Sequence, residues 1–220
     1  MTWIKICGIT NLEDARAAVD AGADAVGFVF YEKSPRNIAA DLAGEIISRL
    51  PPAVGKVGVF VNQFEDVICD VANKTGLTGV QLHGDDEDPH VAELIVKRSA
   101  RLKVFIGISM NHPFPEGWAM MWNPDKVHAF IVDSGTKSKP GGTGATFDWH
   151  KHRHNIQVVS HLGKIVVAGG LTDVNAADCI HILHPWGMDV SSGVEAAPGK
   201  KDPGKIRAFV AAVRQANQDQ

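Results

Sequence analysis

The amino-acid sequence predicts an α/β protein folded as one (β/α)8 barrel, the TIM-barrel architecture, over residues 1–220. Three observations lead there. Eight short runs rich in β-branched and aromatic residues recur along the whole chain, at 4–7, 25–30, 57–61, 79–82, 104–108, 129–132, 165–168 and 188–190. They are continuously apolar, as expected of strands covered on both faces. Segments with helical periodicity lie between them, and regular alternation of the two element types builds a parallel sheet. Finally, 220 residues suits eight strand–helix units near the small end of the barrel range. The competing open, doubly wound sheet usually carries a nucleotide fingerprint after its first strand, and Gly8-Ile9-Thr10-Asn11 is not one.

In chain order, a first helix at 12–19 has Asn11 as its cap and Gly22 as its stop. A second, at 41–50, is stopped by Pro51-Pro52. Helices at 64–72, 90–97, 174–183 and 205–213 follow the same pattern, and Asp148 can cap another after the sixth strand. The connection at 109–127 is different. Its three prolines and two tryptophans predict a short or irregular element, with the Met and Trp side chains packed on the barrel wall. The runs at 25–30 and 57–61 resemble each other but would be adjacent strands, so they mark no half-barrel repeat.

Composition narrows the function. A net charge of −3, with no long basic run, gives nucleic acid no purchase. No apolar stretch approaches the roughly 20 residues that span a bilayer. The chain enters its first strand without signal-peptide architecture, and its three cysteines, Cys7, Cys69 and Cys179, are odd in number and far apart. Both features point to a reducing cytoplasm. Helical spacing puts Cys179 on an apolar face and Cys69 at the flank of its helix, partly exposed.

Barrel chemistry gathers just past the C-terminal ends of the strands. Those positions hold Cys7, Arg36 beside Lys33, Asn62, His83, Ser109, Asp133, Gly169-Gly170 and the stretch from Asp189 to Gly193. Cys7 is either a small core hydrophobe or a general base, the latter needing nearby positive charge to favour the thiolate. Asp133 ends a buried strand and suits a general acid if burial or a neighbouring anion raises its pKa. Asp189 is the alternative acid, or a partner for sugar hydroxyls. Gly141-Gly142-Thr143-Gly144, Ala168-Gly169-Gly170 and Ser191-Ser192-Gly193 follow strands six to eight, where backbone N–H groups and hydroxyls cradle a phosphate. Arg36 suits a bidentate grip on a carboxylate, or is a solvated loop charge. His83 lines the pocket, whereas His150, His152 and His154 spread around a helix and do not converge on a metal. No metal site is expected.

The ordered set of blocks KICGIT, GADAVGFVFYEKSPR, VGVFVN, VQLHGDD, GGTGATFDW, AGGL and DVSSGVEAAPGKKD resembles the phosphoribosylanthranilate isomerase family of tryptophan biosynthesis. The resemblance runs nearly end to end and is weakest from 96 to 127. It implies an isomerase acting without a cofactor on a small phosphorylated sugar–anthranilate. In that reading Cys7 is the base, Asp133 the acid, and Arg36 the holder of the anthranilate carboxylate. Gly142, Gly144, Gly169, Gly170, Ser191, Ser192 and Gly193 hold the phosphate, and His83 and Asp189 line the sugar side. Rivals are another phosphosugar isomerase, a metal-dependent epimerase, the equivalent isomerase of histidine synthesis, and a non-catalytic phosphate-binding barrel. Monomer and homodimer are both open.

Overall fold

The computed structural model describes residues 1–84, 89–110, 118–135 and 146–218. Eight parallel strands close into a barrel in sequence order. They are β1 (Trp3–Cys7), β2 (Ala25–Phe30), β3 (Gly55–Val61), β4 (Gly79–His83), β5 (Lys103–Ser109), β6 (Ala129–Asp133), β7 (Lys164–Val167) and β8 (Gly187–Val190). β8 returns to β1 with Lys5 opposite Asp189. Every expected strand is present, with ends shifted by at most two residues.

Around the barrel run α1 (Leu12–Asp20), α2 (Ala40–Ile47), α3 (Glu65–Thr75), α4 (Pro89–Arg98), α5 (Trp149–Ser160), α6 (Ala176–Leu183) and α7 (Pro203–Ala216). Their starts follow local chemistry. The Asn11 side chain accepts the Asp14 N–H at 2.8 Å, and Asp148 accepts that of Lys151 at 3.0 Å. Asp202 accepts from Gly204 and Lys205, with Pro203 in the first helical position. Between β5 and β6 the described residues form only two 3-10 turns, Trp118–Met121 and Pro124–Lys126. Trp118 and Trp122 pack edge-on to Phe130, with ring centroids 6.0 and 5.9 Å away, so the tryptophans do cover the wall. Met121 does not: it is 59% exposed.

Period-two alternation splits each strand between two cores. Outward residues such as Ile4, Ile6, Phe28, Val104, Phe130 and Val167 meet the helices in an annular apolar layer. Inward residues fill the barrel. Its lower end is an aromatic floor in which Trp3 stacks on Phe105 at 5.7 Å and on Trp186 at 5.1 Å. Ala25, Val57, Ala129, Ile131 and Val166 pack against it, with Lys5 in register with Ala25. After β8, a short hairpin of β9 (Glu195–Ala197) and β10 (Lys200–Lys201) lies before α7.

Candidate active site

A cavity of about 700 Å³ opens at the C-terminal ends of the strands. Cys7, His83, Asp133 and Asp189 face it from β1, β4, β6 and β8, and Arg36 reaches it from the loop after β2. Gly169, Gly170, Ser191, Ser192 and Gly193 complete its rim. The described residues expected to serve as base, acid, carboxylate holder, phosphate cradle and sugar lining therefore converge on one space. Gly142 and Gly144 lie outside the described residues, as does the rest of the loop following β6. Asn62 and Ser109, although at strand ends, do not line the cavity.

Beneath Cys7 the alternation of β1 places Lys5, fully buried. Its ammonium donates to Asp189 Oδ2 at 2.7 Å and to Gln81 Oε1 at 2.9 Å. Burial opposes that charge, but Asp189 and then Cys7 outweigh it and hold the Lys5 pKa above its ordinary value. For Cys7 the balance runs the other way. Burial pushes the thiol up; Lys5 and Lys201 pull it down, and Asp189 adds to the rise. The positive charge that favours the thiolate thus comes chiefly from two lysines, and the Arg36 guanidinium is held by another residue.

That residue is Glu195. Arg36 Nε and one terminal nitrogen donate to its two carboxylate oxygens at 2.8 and 2.7 Å, a bidentate pair. Lys201, also buried, donates to Glu195 Oε1 at 2.9 Å and to the Ser191 carbonyl at 3.1 Å. Burial works against the Glu195 anion, yet the Arg36 hydrogen bonds and the Lys201 charge prevail and lower its pKa. The network joins the loop after β2 to the loop after β8.

Asp133 ends β6 and accepts the Gly135 N–H at 2.5 Å through Oδ1. Burial raises its pKa, Asp189 adds to the rise, and His83, the Gly135 N–H and Lys5 oppose it. This is the setting expected of a carboxylic acid kept near its proton. Asp189 is buried; Lys5 occupies Oδ2, while Oδ1 has no hydrogen-bond partner among the described residues.

The two described glycine loops are shaped for close approach. Gly169 has φ +82°, and a Cβ there would stand 2.5 Å from Ser134 Oγ and 2.8 Å from Ser134 N. A Cβ on Gly193 would run into the Leu171 carbonyl. Asn175 braces the first loop, accepting the Thr172 N–H at 2.8 Å and donating to the Gly170 carbonyl at 3.0 Å. Ser192–Val194 form a 3-10 turn after β8, at the cavity rim.

Sequence reasoning missed Lys5, Gln81, Asn175, Glu195 and Lys201. A signal existed for the first two: each is a polar residue in an apolar run, two positions before a strand-end candidate and so on the same face. Cys69 corrects another expectation. It is only 4% exposed, because α4 lies beside α3 and covers its flank. Cys179 is buried as expected, and burial drives its thiol well above the ordinary range. His150 and His154 are exposed on α5, and the described residues hold no cluster of ligands fit for a metal.

The model of the N-(5'-phosphoribosyl)anthranilate (PRA) isomerase family matches residues 4–212. The N-(5'-phosphoribosyl)anthranilate isomerase of Pelobacter propionicus is 46% identical over 210 residues, 96% of this chain and 94% of that protein. The crystal structure of the phosphoribosyl anthranilate isomerase of Thermotoga maritima superposes with a TM-score of 0.82 at 38% identity, covering 98% of this chain and all of that one. A phosphoribosyl anthranilate isomerase in complex with reduced 1-(o-carboxyphenylamino)-1-deoxyribulose 5-phosphate gives 0.81 at 37% identity, with the same coverage.

Proposed function

Because the chain belongs to the N-(5'-phosphoribosyl)anthranilate isomerase family, we propose that the strand-end cavity is its active site, with Cys7 as general base and Asp133 as general acid. The enzyme is an intramolecular oxidoreductase of the aldose–ketose type in tryptophan biosynthesis. In the reaction proposed here, Asp133 gives its proton to the furanose ring oxygen and the C1'–O bond breaks, leaving a Schiff base. Cys7 removes the proton from C2', and the electron pair moves to form the enolamine. Tautomerisation then leaves C2' a ketone and C1' a methylene bearing the amine. Electrons pass from C2' to C1' within one molecule, so no cofactor enters.

One observation carries the assignment. A thiol and a carboxyl group from different strands face a single cavity rimmed by glycine and serine loops. Gly169, Gly170, Ser191, Ser192 and Gly193 would bind the phosphate through N–H and O–H donors, with Gly142 and Gly144 adding to them. Arg36, its fork already fixed by Glu195, offers its remaining N–H groups to the anthranilate carboxylate. Asp189 and His83, which line the cavity, would stand on the sugar side.

We place the enzyme in the cytoplasm and expect assembly no higher than a homodimer. Among the described residues, no helix is long and apolar enough to cross a membrane.

The test is turnover of phosphoribosylanthranilate, read as loss of its fluorescence. The wild-type chain should show it, and Cys7→Ala and Asp133→Asn should each lose about 10²–10⁴-fold in kcat. A near-wild-type kcat in either variant removes that residue from the mechanism.

A further inference from the structure

Lys5 is a buried cation with no place in the reaction as written, and its position is unusual. It sits mid-strand in β1, two residues before Cys7 on the inward face, fully buried and absent from the cavity lining. A charge so placed is costly unless it is paired, and two groups are spent on pairing it, Asp189 and Gln81. Across the β1–β2 ladder, residue 27 stands opposite Cys7 and is glycine. A Cβ there would lie 2.8 Å from Cys7 Sγ and 3.0 Å from Lys5 Cε. The missing side chain thus opens one shared space into which the thiol and the lysine stem both project.

We propose that Lys5 is a positioning residue for the reaction: anchored by Asp189 and Gln81, its ammonium stabilises the Cys7 thiolate through the space left by Gly27. This rests on Cys7 being the base. The other charged and titratable groups around the thiol are Asp189 from β8, Lys201 from β10, Tyr31, Lys33 and Arg36 from the loop after β2, His83 from β4 and Asp133 from β6. Of these, Lys201 is tied to Glu195 and Ser191, and Arg36 to Glu195. Lys5 has the most direct line to the sulfur, and its hydrogen-bonding and charge both favour the thiolate. Asp189 holds the ammonium charged, and its second oxygen has no hydrogen-bond partner among the described residues.

The experiment is the pH dependence of Cys7 alkylation by iodoacetamide, followed on the Cys7 peptide by mass spectrometry, because thiolate is the form that reacts. An opposite charge at this range moves a pKa by one to three units. Lys5→Met should therefore move the alkylation midpoint up by at least about one pH unit, roughly tenfold slower reaction at fixed pH below it. Lys5→Arg should recover much of the wild-type profile. Lys5→Met strands Asp189, so Lys5→Met/Asp189→Asn, which removes both charges, guards against a folding failure. Its midpoint should lie above wild type but below that of Lys5→Met. Because Lys5 does not line the cavity, Lys5→Met should lower kcat while leaving KM within about twofold, a split that mere loosening of the barrel would not give. An unshifted midpoint in any folded variant lacking the ammonium overturns the proposal and leaves Cys7 as base untouched. Normal turnover by Cys7→Ala overturns the reading beneath it, whatever the alkylation shows.

Discussion

Glu195→Gln is the sharpest perturbation the structure offers, because one carboxylate there holds two cations. Glu195 takes Arg36 in a bidentate grip and Lys201 through Oε1, and its own carbonyl accepts Lys205 at 2.8 Å. Lys201 is fully buried at its side chain, and those of Arg36 and Glu195 are 12% and 6% exposed. The amide keeps the shape and one acceptor but removes the charge, leaving two neighbouring cations without their anion. Breaking a buried pair from one side costs about 3–5 kcal/mol. Lys201 is already biased toward its neutral form by burial and can shed its proton, so the lower figure, about 3 kcal/mol, is expected at neutral pH. For a chain of this length that corresponds to a fall of roughly 6–12 °C in Tm. The sign with pH follows from the direction of the shift. Glu195 has a folded pKa below its unfolded value. Its contribution is complete above the unfolded pKa and is lost as pH falls through the folded one. The gap between wild type and Glu195→Gln, measured by urea unfolding, should therefore be widest near pH 7 and shrink below about pH 4. Glu195→Gln/Lys201→Met should be more stable than Glu195→Gln alone, since only one cation is then left unpaired. A loss under about 1 kcal/mol at pH 7, or a gap that does not narrow in acid, would refute the account.

Arg36→Met should act mainly on KM. A charged hydrogen bond made in both ground and transition states is worth about 1.5–3 kcal/mol, roughly ten- to hundredfold, and an unchanged KM would return Arg36 to a purely structural pairing with Glu195. The pH profile of kcat/KM should be a bell. Burial raises both Asp133 and Cys7, so both limbs should be displaced upward from the ordinary values. The productive form, neutral acid with thiolate, carries one proton between the two groups, so activity is level between the two titrations whichever group titrates first. It should fall below an acid limb above the ordinary carboxylate pKa and above an alkaline limb beyond the ordinary thiol pKa; an acid limb at or under the usual aspartate value would contradict the burial of Asp133. Gly169→Ala forces a left-handed backbone on alanine, about 1–2 kcal/mol, and drives its Cβ onto Ser134; calorimetry should show a Tm lower by several degrees and kinetics a raised KM, and an unchanged pair of values would mean that the loop after β7 neither needs its conformation nor meets the phosphate.

The barrel was legible because β-rich runs, caps and stops are local properties. Asn11 caps α1 and Asp148 caps α5 through side chains that reach only three residues along the chain. The strand-end residues were legible for a related reason: once eight parallel strands are counted, their C-terminal ends must share a pocket. Pairings made by closure were not. Arg36 and Glu195 are 159 positions apart, and Lys5 and Asp189 are 184 apart. They meet only because β8 returns to β1 in a register that no local pattern specifies. Cys69 was misjudged for the same reason, since a helix flank is exposed or covered according to the neighbour that packs on it. Lys5 and Gln81 stood in plain view as polar interruptions. The continuity of the apolar runs around them hid the inward face on which they lie.

The stacked rings of Trp3, Phe105 and Trp186, with His128 set edge-on against Phe105 and Trp186, plug one end of the barrel. Lys164 lies over the outermost indole at 4.5 Å. The chamber is therefore blind-ended, and whatever enters must leave by the doorway it came through. Nothing can be handed through the barrel from one mouth to another, so a departing ketose and an arriving aldose contend for a single threshold. Each turnover has to vacate the chamber before the next can begin, and a product analogue should compete directly with substrate for the free enzyme.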